Sequence, residues 1–117
     1  MSNNWSQAFE KGQELVLVTS SVDAQPNANI VISLGFVEGK ILVADSQMKT
    51  TIKNLQANKK VCLINKYYRL QGTVEIFDQG KYFNLCSAAD KKHPVKHAIL
   101  ITPKEIFDLN KLKKIIL

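Results

Sequence analysis

The sequence predicts a mostly β protein, an antiparallel barrel that is closed or nearly closed and has its helices packed outside. Two observations carry this prediction. The segments follow one another as helix, three strands, helix, two strands, helix and two strands. Several strands are separated only by short turns, which favours antiparallel neighbours, whereas a doubly wound parallel sheet would need a helix after each strand.

Each element follows from local periodicity and turn residues. Side chains alternate between two faces over 70–78, as in a half-buried strand, and Ile52, Leu55 and Gln56 recur at helical spacing. Gly39 marks a tight hairpin turn, and Pro103, which cannot donate to a strand ladder, divides the last β segment. The predicted helices cover 50–58, 81–89, part of the tail 109–117, and 3–12, which lies within the N-terminal segment 1–13. The predicted strands cover 14–21, 27–36, 41–45, 59–68, 70–78 and two stretches of 97–109.

Length and composition indicate one domain over 1–117. Hydrophobic residues make up 45% of the 117 positions and charged residues 22%, so the chain can bury a core and does not have a disordered composition. Residues 1–14 are polar and amphipathic, no apolar run has membrane-spanning length, and Cys62 and Cys86 form no C-x-x-C pattern. We therefore expect a cytoplasmic protein without a membrane partner.

The segment from Asp45 to Lys60 is the most informative part of the chain, because a strand leads through a short polar turn directly into a helix. A helix start has unpaired N–H groups and a partial positive charge, so it is a ready anion site. The net charge of +6 also favours an anionic partner. The structural alternative is a threonine cap followed by a solvated lysine face. The side chains that this helix start offers to an anion are Lys49, Lys53 and the hydroxyls of Thr50 and Thr51, and Ser46 and Gln47 form the turn before it.

One motif lies across this helix start. It reads M-x-x-T-x-x-N-L followed by N-x-K-V, and its residues are Met48, Thr51, Asn54, Leu55, Asn58, Lys60 and Val61. The segments ELVLVTSS and NANIVISLGF precede it, and YYRLQGTVEIF, GKYF and AILITPKEIFDL follow it. This ordered set, over about residues 8–109, resembles the FMN-binding split-barrel group, the pyridoxamine 5'-phosphate oxidase-like proteins.

The resemblance implies an antiparallel split β-barrel of the FMN-binding type that forms a homodimer with FMN at the subunit interface. It implies that the flavin phosphate lies at 46–51, where a helix start with hydroxyls and a nearby ammonium suits a dianion. The strand 27–32 would run along the isoalloxazine ring, largely through backbone contacts. The cofactor-binding residues implied in this way are Asn29, Ile30, Val31, Ser46, Gln47, Met48, Lys49, Thr50 and Thr51.

The sequence departs from the family pattern in two places. Family members often have a lysine immediately before the motif threonine, but here that position is Thr50 and the lysine is Lys49. One residue near a helix start turns a side chain by roughly a third of a turn. We expect Lys49 to reach the phosphate from the turn, with Lys53 as a substitute. True pyridoxamine 5'-phosphate oxidases are longer and carry an arginine-rich C-terminal substrate motif, so we expect a different activity for a sequence that ends in LKKIIL.

The first functional hypothesis is an FMN-dependent oxidoreductase, in which the flavin carries the redox chemistry because no side chain stands out as an acid or base. A non-enzymatic flavin-binding electron carrier or sensor is the second hypothesis. A split barrel that binds deazaflavin or haem is the third. A basic nucleic-acid module is the fourth, and the absence of a recognition motif disfavours it. The sequence does not identify the substrate or the electron donor.

Three further residues are candidate ligands of a phosphate, a substrate or a metal. Arg69 is the only arginine, and it would contact a phosphate or substrate beside the flavin or, structurally, stack as a strand-edge charge on a tyrosine. His93 and His97 flank Pro94, which prevents a regular helix between them. A metal site would need more ligands than these two histidines, so no metal is predicted.

Overall fold

An antiparallel sheet makes up most of the computed structural model, which describes residues 5–117. Its strands are β1 (Glu14–Ser20), β2 (Pro26–Ile32), β3 (Phe36–Val37), β4 (Lys40–Asp45), β5 (Lys60–Asn65), β6 (Tyr68–Phe77), β7 (His97–Asp108) and β8 (Lys113–Ile115). The helices are α1 (Thr50–Ala57) and α2 (Lys81–Ala89), and a 3-10 helix covers Trp5–Phe9. No helix within these residues has the length and apolarity that a membrane crossing requires.

The strands are ordered β2-β1-β5-β6-β7-β4-β3, and β8 pairs with the part of the β7 edge that β4 leaves free. All of these pairings are antiparallel. In this order β2 is one end of the sheet and β4 lies next to the other end, so the two strands do not pair and the barrel stays open between them. The predicted antiparallel split barrel is confirmed, and its opening is where the candidate site lies.

The core has two parts because β4 and β7 are covered on both faces. Ile41 and Val43 point into the barrel, whereas Leu42 faces the other side and packs with Cys86 of α2. The same division occurs in β7, where successive residues are buried on alternate faces. Side chains of β4 therefore alternate between two buried faces. The continuous apolar run at the start of β7 follows from burial on two sides.

Two predicted strand boundaries need correction. The strand expected over 27–36 ends at Ile32, because the chain then crosses from β1 to β4, where the Leu34 N–H donates to the Leu42 carbonyl. Gly35 follows with a positive φ of 102°, which interrupts extended backbone. The last β segment is one strand rather than two. Pro103 pairs with Gly72 at a register shift, where Lys104 is an extra residue between the partners of Gln71 and Gly72. This bulge accommodates the proline without ending the strand.

The tail prediction was wrong, since residues Lys113–Ile115 form a strand and not a helix. β4 pairs with β7 only up to Ile101, which leaves the same edge free further along, and β8 occupies that edge with Ile115 opposite Ile106. An available strand edge thus outweighed the helical spacing of the tail. The N-terminal helix is shorter than predicted and covers Trp5–Phe9; residues 1–4 of the expected segment lie outside the described residues.

Candidate functional site

A cavity of about 390 Å³ lies in the opening of the barrel, between β2 and β4, which do not pair with each other. The loop between α2 and β7 forms its third side. Five of the predicted cofactor-binding residues are among those that line it, which are Asn29, Ile30, Ala44, Ser46, Gln47, Met48, Asp90 and His93. A larger groove of about 550 Å³ lies on the outer face of β1, β5 and β6, but it contains none of the predicted site residues.

The turn that follows β4 is closed by the Asp45 side chain. Its Oδ1 accepts a hydrogen bond of 2.7 Å from the Met48 backbone N–H. Its Oδ2 lies 2.6 Å from Nδ1 of His97, and its backbone carbonyl accepts the Lys96 N–H at 2.8 Å. The turn is therefore fastened to the start of β7 immediately before α1 begins.

The amino end of α1 has the features expected of an anion site. Lys49 is the N-cap residue and makes no side-chain capping bond, and the first turn contains no acidic residue. Lys49, Thr50 and Lys53 are all exposed around this end. Free N–H groups, the helix dipole and two ammonium groups all favour an anion here.

The hydroxyl of Thr51 points into the protein. Thr51 is buried, and its hydroxyl donates to Oδ1 of Asn29 and accepts a bond of 3.1 Å from Nδ2 of Asn27. The Asn27 amide also donates to Asn29 Oδ1 at 2.9 Å. The hydroxyl is engaged inside the protein, so Thr51 can offer an anion only its backbone N–H.

The family motif forms a polar stripe that fastens α1 to the sheet. Beyond Thr51, Asn54 donates to the Thr19 hydroxyl at 3.0 Å and Asn58 donates to the Ser20 hydroxyl at 3.1 Å. Positions 51, 54 and 58 lie on one helix face, and this spacing is the signal from which sequence reasoning could have found the stripe. Leu55 is buried on the core side of the same helix.

The side chains of β2 alternate between the core and the outside. Asn29 and Val31 face inward, and Val31 is part of the core. Ile30 faces outward and is 71% exposed. Because β2 ends the sheet, one row of its backbone groups has no strand partner. Val31 can therefore contact a ligand only through the backbone, as expected for this strand.

Arg69 lies away from the cavity. Its guanidinium is 4.9 Å from the ring centre of Phe107, so it stacks on a phenylalanine and not on a tyrosine. Phe107 is ten residues along β7 from His97, roughly 30 Å of strand, whereas His97 contacts the turn that precedes α1. The structure does not bring Arg69 together with the other predicted residues.

Asp90 and His93 belong to the cavity although sequence reasoning did not assign them to it. His93 Nδ1 lies 3.5 Å from Asp90 Oδ1. The backbone N–H groups of His93 and then Lys92, together with the nearby imidazole, lower the pKa of Asp90. These residues sit in a loop without periodicity, and only the tertiary structure places them opposite the turn. Within residues 5–117 no three His, Cys, Asp or Glu side chains are grouped as metal ligands would be.

The arrangement combines a cavity in the size range of small-molecule sites with a helix start for an anion and a strand edge for a polar ring. The candidate groups come from three separate elements: β2, the turn before α1, and the loop before β7.

The chain matches a family model described as pyridoxamine 5'-phosphate oxidase over residues 4–110. It is also 30% identical over 109 residues to an uncharacterized protein of Methanocaldococcus jannaschii, and this match covers 82% of the chain and 73% of that relative.

Solved structures share the fold at lower identity. HupZ of Group A Streptococcus superimposes with a TM-score of 0.83 at 20% identity, over 98% of this chain and 99% of that one. An F420 reductase gives a TM-score of 0.71 at 17% identity, over 92% and 99% of the two chains. An FMN-binding protein from Syntrophomonas wolfei gives a TM-score of 0.70 at 15% identity, over 97% and 83%. With a family model that spans nearly all of the described residues and a barrel left open between β2 and β4, the chain belongs to the pyridoxamine 5'-phosphate oxidase family.

Proposed function

We propose that this protein binds FMN in the opening between β2 and β4 and acts as an FMN-dependent oxidoreductase. The observation that carries this proposal is the cavity that five predicted cofactor residues line, beside an α1 start that lacks a side-chain cap. Family membership and the FMN-binding protein among the structural neighbours support the same cofactor.

The phosphate would lie at the start of α1. The backbone N–H groups of the first turn would donate to it, and the ammonium groups of Lys49 and Lys53 would supply charge. Ser46 and Gln47 line the cavity on the same turn and add polar side chains. Lys49 stands in the turn itself, which supports its assignment as the phosphate lysine despite its shifted position in the motif.

The isoalloxazine ring would lie against β2. The unpaired backbone row of this edge strand offers N–H and C=O groups to the polar edge of the ring. Met48 and Ile30 would contribute apolar contact. When bound, the flavin supplies the electron transfer, and the protein's part is to bind and orient it and to set its electrostatic environment.

A homodimer would complete the site. Ile30 and Ile32 are 71% and 57% exposed on the outer face of β2, next to the cavity, and neighbouring exposed apolar side chains are typical of an interface. In such a dimer, Arg69 could contact a bound flavin only from the other subunit, since it lies far from its own cavity. A solution mass of two chains is expected by light scattering, and a one-chain mass for the flavin-loaded protein would contradict the dimer.

FMN titration tests the phosphate site. We expect the double variant Lys49→Ala/Lys53→Ala to bind FMN about 10-fold more weakly, because it loses both ammonium groups at the helix start. The matched control is Lys59→Ala/Lys60→Ala, which removes the same charge at the other end of α1 and should bind like the wild type. Equal affinities for the two double variants would refute the phosphate site.

Turnover distinguishes the oxidoreductase from a flavin carrier or sensor. Anaerobic reduction of the bound flavin by NADH or NADPH, followed by repeated cycles with an electron acceptor, would support an enzyme. Flavin that stays oxidised with both nucleotides would favour the carrier or sensor. The F420 reductase among the neighbours makes deazaflavin the second cofactor to titrate.

A further inference from the structure

We propose that Asp45 and His97 act as a positioning pair for the turn that precedes α1, so that His97 determines how much a ligand's phosphate contributes to affinity. This inference rests on the proposed function and adds two residues to its site. Neither residue lines the cavity, and both would act through the backbone of the turn.

Two hydrogen bonds join Asp45 to the start of β7, and a third closes the turn itself. The Asp45 carboxylate accepts the Met48 N–H at 2.7 Å through one oxygen and meets Nδ1 of His97 at 2.6 Å through the other. The Asp45 carbonyl accepts the Lys96 N–H at 2.8 Å. Because a carboxylate oxygen can only accept, the His97 ring nitrogen is the donor of the second bond.

The helix start depends on this arrangement because it has no side-chain cap of its own. Lys49, the N-cap residue, makes no capping bond, and the bond from Lys53 N–H to the Lys49 carbonyl belongs to the helix itself. Between the end of β4 and the first residue of α1, the Asp45–Met48 bond is therefore the contact that sets the path of the chain. The direction of the first free N–H groups follows from that path.

The burial of Asp45 makes His97 indispensable to this arrangement. Asp45 is fully buried, and a buried carboxylate is tolerated only when its oxygens are bonded. Without His97 one oxygen has no partner, so the side chain would rotate towards water and release Met48. The His97 side chain is 27% exposed, so replacing it does not open the core.

Comparing FMN with riboflavin isolates this effect, because the two ligands share the ring and differ by the phosphate. We expect His97→Leu to bind FMN about 10-fold more weakly than the wild type and riboflavin almost unchanged. His97→Asn places an amide N–H near the position of Nδ1 and should restore most of the preference for FMN. Tyr82→Phe is the control, since it also removes one hydrogen bond to a carboxylate, Glu38, and should leave the FMN-to-riboflavin ratio unchanged.

An unchanged FMN-to-riboflavin affinity ratio in His97→Leu, whether both affinities fall equally or neither falls, would overturn the proposal. The second measurement is amide hydrogen exchange at Met48 in the ligand-free protein. Exchange should accelerate at least several-fold in His97→Leu and return towards the wild-type rate in His97→Asn. If the wild type bound no flavin, the proposed function would fail, and unchanged exchange at Met48 would separately reject the positioning pair.

Discussion

The two α-helices within residues 5–117 both begin without a side-chain cap and yet have different surroundings. α1 has eight residues and α2 has nine; neither has a side-chain cap, and neither has an acidic residue in its first turn. Each also has a carboxylate close to its start, Asp45 before α1 and Glu38 beside α2. By helix physics alone, both ends would attract an anion to a similar degree.

The difference lies in what surrounds each end. Asp45 is fully buried, bonded to a backbone N–H and to His97, and the turn that follows it borders a cavity. Glu38 is exposed and accepts bonds from Lys81 Nζ at 2.9 Å and the Tyr82 hydroxyl at 2.7 Å. The Tyr82 hydrogen bond, and then Lys81, lower the pKa of Glu38. The comparison teaches that buried neighbours, and not the helix start itself, turn such an end into a candidate site.

The largest expected effect is the loss of stability when Asp45 is removed, compared with the removal of Glu38. Asp45→Ala should lower the free energy of unfolding by about 2–3 kcal/mol, because it removes a fully buried carboxylate together with its bonds to the Met48 N–H and to His97. Glu38→Ala should have little effect, since its contacts are exposed and solvent screens them. Urea denaturation followed by circular dichroism measures both, and similar losses would contradict the distinction drawn between the two ends.

An effect of intermediate size is expected when inorganic phosphate is titrated and the two helix starts are followed by NMR. Inorganic phosphate should shift the backbone amides of 49–52 with a saturating concentration dependence. The amides of 81–84 should shift little, because Lys81 already contacts Glu38 and no site residues line that end. Parallel shifts at both helix starts would mean that the anion responds to the helix ends alone.

The effect that is smallest at neutral pH, and develops only in alkali, concerns the packed side of α2. Burial raises the pKa of the Cys86 thiol from 9.0 to about 11. The folded state therefore keeps this thiol neutral where the unfolded chain ionises it, so its contribution to stability is complete below pH 9 and is lost as the pH rises through 11. Stability measured from pH 8 to 11 should fall more steeply for the wild type than for Cys86→Ala. Equal slopes would show that Cys86 is not responsible.

Much of the fold could be predicted because most strands and both α-helices depend on local periodicity. The helix predicted over 81–89 matches α2, and the helix over 50–58 matches α1 to one residue. The tail could not be predicted this way. Its apolar spacing suited a helix, but the choice depended on a strand edge that β4 leaves open at residues 106–108 of β7.

The candidate site divides along the same line. Ser46, Gln47 and Met48 could be assigned to one turn because they are adjacent in sequence and precede a helix. The sequence alone assigns a ligand role to Thr51. Its hydroxyl partners, Asn27 and Asn29, lie more than 20 residues away on another element, so no local pattern reveals that the hydroxyl is already bonded. His93 had no local signal at all, since an isolated loop histidine has no periodicity to interpret.

By itself, the sequence determined most of the strands and both α-helices, and that a lysine-rich helix start follows β4, since these properties depend on neighbours within a few residues. The tertiary structure alone decided where the barrel stays open, which hydroxyl is buried, and that Asp90, His93, Asp45 and His97 meet around one turn. Those choices arise from competition among distant strand edges and buried polar groups for partners, and the chain settles that competition only when it folds as a whole.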